Sequence, residues 1–96
     1  MARHVTCTAV FVLLERKEKY LFLRRANTGW SDGKLTLPSG HVDQGQTVRQ
    51  AAAVEALEET GVVIQEEDLE FMFTHYVLDT YVNFYFKARR WEGEPY

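Results

Sequence analysis

One bounded helix limits what this chain can become: Thr47-Val48-Arg49-Gln50 opens it and Gly61 closes it. A hydroxyl at the N-cap with Gln at N3 makes a capping box, which satisfies backbone donors that a helix start leaves unbonded. Helix formers run on to Thr60, with three alanines in succession, and Gly61 stands where a left-handed residue ends a helix. The pattern predicts a helix of about fourteen residues, near the normal length. Strand-like segments lie on both sides of it, so the chain reads as a mixed α/β domain.

Val5 to Leu14 is rich in Val, Thr and Phe and reads as a central strand, because both its faces are apolar toward the end. The charged run 15 to 19 makes a hairpin-like turn. A second strand over Tyr20-Leu21-Phe22-Leu23 ends at Arg24-Arg25. Residues 26 to 34 form a Gly-rich loop carrying Trp30, and Leu35-Thr36-Leu37 is a short strand stopped by Pro38. Ser39-Gly40 and Gly45 bracket a further turn-rich stretch. After the helix, Val62 to Ile64 is extended and Glu66-Glu67-Asp68 is a solvated turn. Leu69 to Leu78 and Tyr81 to Trp91 read as two long strands joined by Asp79-Thr80. In the second, Tyr81, Asn83, Tyr85 and Lys87 alternate with Val82, Phe84, Phe86 and Ala88.

A length of 96 residues suits a single domain, 1–96, and 46% hydrophobic residues are enough to build its core. Charge is unevenly placed. Residues 1 to 49 hold eight Lys or Arg against four acids, whereas residues 50 to 86 hold eight acids and no Lys or Arg. Cys7 is the only cysteine, which excludes an internal disulfide and suggests a reducing compartment. It stands mid-strand and is expected to be buried and inert. Thr6, Cys7 and Thr8 break up the apolar N-terminal stretch, and a charged run follows instead of a cleavage site, so a strand is favoured over a leader. No stretch approaches the ~20 apolar residues a membrane helix needs. A cytoplasmic protein without a membrane partner is expected.

The chemistry concentrates in Glu55, Glu58 and Glu59. At about 100° per residue their side chains lie within roughly 100° of arc. Like charges three or four residues apart repel on a helix. The neighbouring positions that could carry a counter-charge hold Ala51, Ala52, Val54, Val62 and Val63 instead. Two readings stay open on charge alone: a solvated acidic face, or a site for a hard divalent cation such as Mg2+, which prefers carboxylate oxygens. Either way this face would repel a phosphodiester backbone, which argues against a nucleic-acid partner.

The segment Gly40 to Val62 resembles the Nudix box: Gly, five residues, Glu, seven residues, Arg-Glu, an aliphatic, any residue, Glu-Glu, any residue, Gly, an aliphatic. Gly40, Glu55, Glu58, Glu59, Gly61 and Val62 match it in register, and Leu37-Pro38-Ser39-Gly40-His41-Val42 is similar to the family's entry into the box. The resemblance implies an α/β/α sandwich with a mixed sheet, a divalent metal (Mg2+, with Mn2+ as an alternative), and attack by water on a phosphorus of a diphosphate linkage. By matched position Glu55, Glu58 and Glu59 would be catalytic and metal-binding residues. Glu55 would also be a candidate base, and the Gly40 carbonyl a further ligand.

Three box positions depart from the pattern. Gln46 stands for Glu, which should weaken metal binding; Val54 stands for Arg; Ala56 replaces a larger aliphatic. An Arg at 54 would lie about 40° around the helix from Glu58 and could orient a glutamate. Loss of such a partner lowers rate without altering the fold. The family domain also continues past the equivalent of Trp91-Glu92-Gly93-Glu94-Pro95 into another strand and helix. Without that helix one sheet face would be uncovered, so a homodimer is expected.

Outside the box, Arg24 and Arg25 point to opposite faces of a strand end, so at most one of them faces the site to clamp a phosphate. Trp30 could stack on a base, although packing over the sheet edge is favoured. His41 and His75 have no partner at ligand spacing and read as structural. The leading function is metal-dependent hydrolysis of a nucleoside triphosphate or related pyrophosphate. The competing one is a Nudix-like module that binds a nucleotide or metabolite and turns it over poorly, and a third is a structural fragment without a ligand.

Overall fold

The capping box forms as the sequence requires, and the helix it starts is the single α-helix among the residues that the computed structural model describes, 3–24 and 35–95 (backbone only for Leu23, Arg24 and Leu35). Helix α1 spans Val48–Thr60. The Thr47 hydroxyl accepts the Gln50 N–H at 3.0 Å, and the Gln50 side chain accepts the Thr47 N–H at 2.9 Å. Gly61 ends the helix at φ 80°, a left-handed value glycine adopts without strain, and its N–H donates to the Leu57 carbonyl at 2.9 Å.

Strand β1, Cys7–Arg16, lies at the centre of the main sheet, as expected for a segment apolar on both faces. One of its edges is shared by two short antiparallel strands, β5 (Ser39–His41) opposite Ala9 to Phe11 and β2 (Lys19–Leu21) opposite Leu14 to Arg16. Its other edge pairs in parallel with β7, Tyr81–Ala88, which pairs in turn with β6, Leu69–Val77. Strands β3 (Leu23–Arg24) and β4 (Leu35–Thr36) form a separate two-stranded ladder. The parallel β1–β7 pair cannot be joined by a hairpin, and the crossover it needs contains α1.

Helix α1 covers one sheet face. Val10, Val12 and Leu14 of β1 and Phe86 and Ala88 of β7 are buried there with Ala51, Ala52 and Ala56. Alanines let the helix approach closely, and Val62, Ile64 and Leu69 close the rim. Arg49 ties the helix start to the sheet, donating to the carbonyls of Glu66 at 3.0 Å and Leu69 at 2.5 Å above the Phe86 ring. The other face, with Phe11, Tyr85 and Phe73 stacked side by side, has no helix over it among the described residues. None of the helices is long and apolar enough to cross a membrane among those residues.

Three expectations need correction. Ser39-Gly40, expected to bound a turn-rich stretch, belongs to a strand, because pairing with β1 overrides the local preference of Ser and Gly. Cys7 is exposed, not buried: it is the first residue of β1, opposite Tyr81, on the face without a helix. The second strand is also shorter than predicted, breaking at Phe22 before the chain enters the smaller ladder.

Replacing Thr47 by Ala removes the box acceptor and is expected to cost about 1 kcal/mol, lowering the melting temperature by roughly 4–8 °C for a domain of this size. Thermal unfolding followed by circular dichroism checks this, and an unchanged midpoint would show that packing alone fixes the helix start.

Candidate active site

Strand alternation decides how β5 meets the helix. Ser39 and His41 point to one sheet face and Gly40 to the other, toward α1, where Glu55 projects across it. A β-carbon on Gly40 would fall on the Glu55 side chain, within 2.6 Å of its Cγ and nearer still to its carboxyl. Glycine is therefore required here by close approach. One turn further along, Glu59 Oε2 accepts the Ser39 N–H at 2.7 Å. Two helix carboxylates are thus fixed to one three-residue strand.

Glu55 is half-buried and its carboxyl is held above the ordinary glutamate range of 4.5, first by desolvation, then by the negative charges of Glu58 and Asp43; His41 acts in the opposite direction. Glu58 is exposed. Three of the described arginines are engaged elsewhere: Arg16 with Glu94 at 3.0 Å, Arg89 with Glu15 at 2.6 Å and Glu70 at 3.7 Å, and Arg49 with backbone carbonyls. Val54, where the box pattern has Arg, is 39% exposed and brings no charge. Gln46 keeps a task of its own, since its side-chain oxygen accepts the Asp43 N–H at 2.8 Å and closes the turn containing Gly45.

The donor set expected from sequence, the Gly40 carbonyl with Glu55, Glu58 and Glu59, consists of hard oxygens, a kind that suits Mg2+ or Mn2+. The carboxylates do not yet converge: among the described residues no three acid, His or Cys side chains are grouped closely enough to enclose an ion. The backbone nevertheless brings β5 and α1 together at Gly40 and Glu55.

Of the substrate-binding residues expected from sequence, Arg24 has only its backbone described, at the end of β3, and Arg25 and Trp30 lie outside the described residues. His41, expected to be structural, is exposed, stacks on Tyr81 at 5.6 Å between ring centroids, and bears on the Glu55 charge. With Ala9, Phe11, Ser39, Gly40, Tyr81 and Asn83 it lines a slot beside the carboxylates. Asn83 and Tyr81 had one signal in the sequence, their alternation on a single face of the last long strand.

Comparison with known proteins bears on the same residues. A family model described as NUDIX domain matches residues 3–95. The 8-oxo-dGTP diphosphatase of Escherichia coli (strain K12) is 32% identical over 93 residues, covering 92% of this chain and 69% of that protein. The crystal structure of a MutT NUDIX hydrolase from Burkholderia pseudomallei superposes with a TM-score of 0.80 at 22% identity, covering 96% of this chain and 73% of that one. A NUDIX hydrolase from Nitrosomonas europaea gives 0.75 at 27% identity over 88% of this chain and 59% of its own.

Gly40→Ala is expected to destabilise the fold by about 1–3 kcal/mol through overpacking against Glu55, and adding Glu55→Ala should restore most of it. Urea unfolding measures both, and full stability in the single variant would contradict the close approach. The Glu55 shift gives a second expectation. Its folded pKa lies above its unfolded one, so the stability it contributes is complete below the unfolded value and is lost as pH rises through the folded value. In chelator, Glu55→Gln should match the parent below about pH 4 and exceed it at neutral pH; a gap that ignores pH would count against that electrostatic cost.

Proposed function

The chain belongs to the Nudix family, and from that premise we propose that it hydrolyses a nucleoside diphosphate-linked substrate, a nucleoside triphosphate or related pyrophosphate, with Mg2+ or Mn2+ as cofactor. The observation that carries this reading is the Glu55 carboxyl seated where Gly40 lacks a side chain, with Glu58 close enough to raise its proton affinity and no Lys or Arg pairing with either among the described residues. Such a site is incomplete without a cation.

Glu55, Glu58, Glu59 and the Gly40 carbonyl would hold that ion. When bound, it would screen the phosphate oxygens and the charge that develops on them during displacement. The protein's own residues would then position and move a proton. Glu55, seated against Gly40, would take the proton of the attacking water as general base. Glu59 stays aimed by the Ser39 N–H. The water oxygen forms a bond to phosphorus, the bridging P–O bond breaks, and the leaving phosphate carries the electron pair. The Escherichia coli relative is named for 8-oxo-dGTP, which puts oxidised and ordinary purine nucleotides first among compounds to try. Val54 and the Gln46 amide favour a slow enzyme, because neither carries the charge the box pattern puts there.

A panel of nucleoside triphosphates and dinucleotides incubated with Mg2+ or Mn2+, with products identified, tests the proposal. Glu55→Gln is expected to lower kcat by roughly 10²–10⁴-fold, Glu59→Gln to abolish metal-dependent turnover, and Val54→Arg to raise it. Absence of product from every compound, with nucleotide still bound, would replace the hydrolase by a binding module.

A further inference from the structure

On the face of the sheet opposite α1, register brings one residue from each of four strands into a row: His41 of β5, Ala9 of β1, Asn83 of β7 and His75 of β6. The next row carries Phe11 and Tyr85, stacked with centroids 4.7 Å apart, and Phe73 stacks on Tyr85 from the other neighbouring strand at 4.4 Å. On the opposite side Tyr81 leans on His41. Between these walls the floor is the Ala9 methyl and the Asn83 amide, and Ser39 and Gly40 form the end of the slot nearest the carboxylates.

Asn83 is unusual within it. It is only 8% exposed, and its side chain makes no hydrogen bond among the described residues. An amide buried so far normally has a partner. Among the described residues no buried side-chain nitrogen or oxygen is sealed away without one, so what remains accessible of Asn83 opens on the slot. The small side chain of Ala9 beside it leaves that opening clear. An amide presents an N–H donor and a carbonyl acceptor side by side, the same pairing that a nucleobase edge displays. Ring walls suit a flat heteroaromatic group, which stacks whatever its substituents.

We infer that Asn83 is a specificity-determining residue, whose amide pairs with the edge of a nucleobase lying between Phe11 and the His41–Tyr81 pair. This assignment rests on the pyrophosphohydrolase reading for the position of the phosphates, since Gly40 both ends the slot and touches Glu55. It adds the end of the substrate that the box residues do not read. A pyrophosphate without a base would leave the amide unpaired and gain nothing from the slot.

The test is binding without turnover. ¹⁵N-labelled protein is titrated with the four nucleoside monophosphates and with ribose 5-phosphate, following the Asn83 side-chain amide by NMR, and Kd values are compared for Asn83→Leu and Asn83→Asp. At least one nucleotide is expected to shift the amide resonances while ribose 5-phosphate leaves them in place. Asn83→Leu should weaken that nucleotide about tenfold without changing the response to ribose 5-phosphate, and Asn83→Asp, which keeps the shape and loses the donor, should weaken it too. An amide unmoved at saturation, a nucleotide Kd indifferent to Asn83→Leu, or no nucleotide binding at all overturns the inference. If binding depends on Asn83 but no triphosphate is hydrolysed, the slot assignment stands and the hydrolase reading fails. If triphosphates are hydrolysed with an unchanged Kd, the reverse holds.

Discussion

Everything near the carboxylates depends on how closely β5 approaches α1. Two contacts set that distance: the Glu55 side chain occupying the space where Gly40 has no β-carbon, and the Ser39 N–H bonded to Glu59. Neither element could hold the position alone. A three-residue strand is too short to be stable by itself, but β5 is paired to β1, the central strand, and so inherits the rigidity of the sheet. The helix is fixed independently, by its alanine face against Val10 and Val12 and by Arg49 reaching the start of β6. The site is the junction of two well-anchored parts.

The same short strand also joins the two faces of the sheet. Gly40 points to the covered face and the acids, whereas Ser39 and His41 point to the aromatic face and the slot. One residue of strand separates the region where charge is concentrated from the region where rings are stacked. A substrate with an anionic and an aromatic end could be held at both without any rearrangement of the backbone. That economy follows from the period-two geometry of a strand, and a turn at Ser39-Gly40 would not have provided it.

Much of this was legible in the sequence, for identifiable reasons. The helix was, because its signals are local: Thr47, Gln50 and Gly61 each act within four residues of their partners. Helical spacing likewise sets Glu55, Glu58 and Glu59 on one side of α1, although among the described residues their side chains are not grouped closely enough to enclose an ion. The role of β5 was not, because Ser and Gly favour turns locally and only the edge of β1 makes them a strand. Cys7 was misread for the same reason: a strand position implies burial only if something covers that face. The slot was the hardest to foresee. Its floor and walls come from β1, β5 and β7, more than seventy residues apart at the extremes (Ala9 against Asn83), and only the alternation of Tyr81, Asn83 and Tyr85 hinted that they share a face.

Val54 shows how the missing Arg changes the electrostatics rather than the architecture. With a guanidinium at that position the carboxylates would have a permanent counter-charge, and the fold would tolerate them ionised. With valine, Glu55 is left half-buried beside Glu58 and Asp43, so its charge is a cost carried by the folded state. On the proposed reading a divalent ion would remove that cost, and because the ionised form would bind it, binding and proton release would be linked. The repulsion among these acids would therefore be part of the free energy that draws a cation in. A chain that gives up the orienting Arg loses a fixed geometry, yet it retains, in the mutual repulsion of its acids, a reason to bind metal.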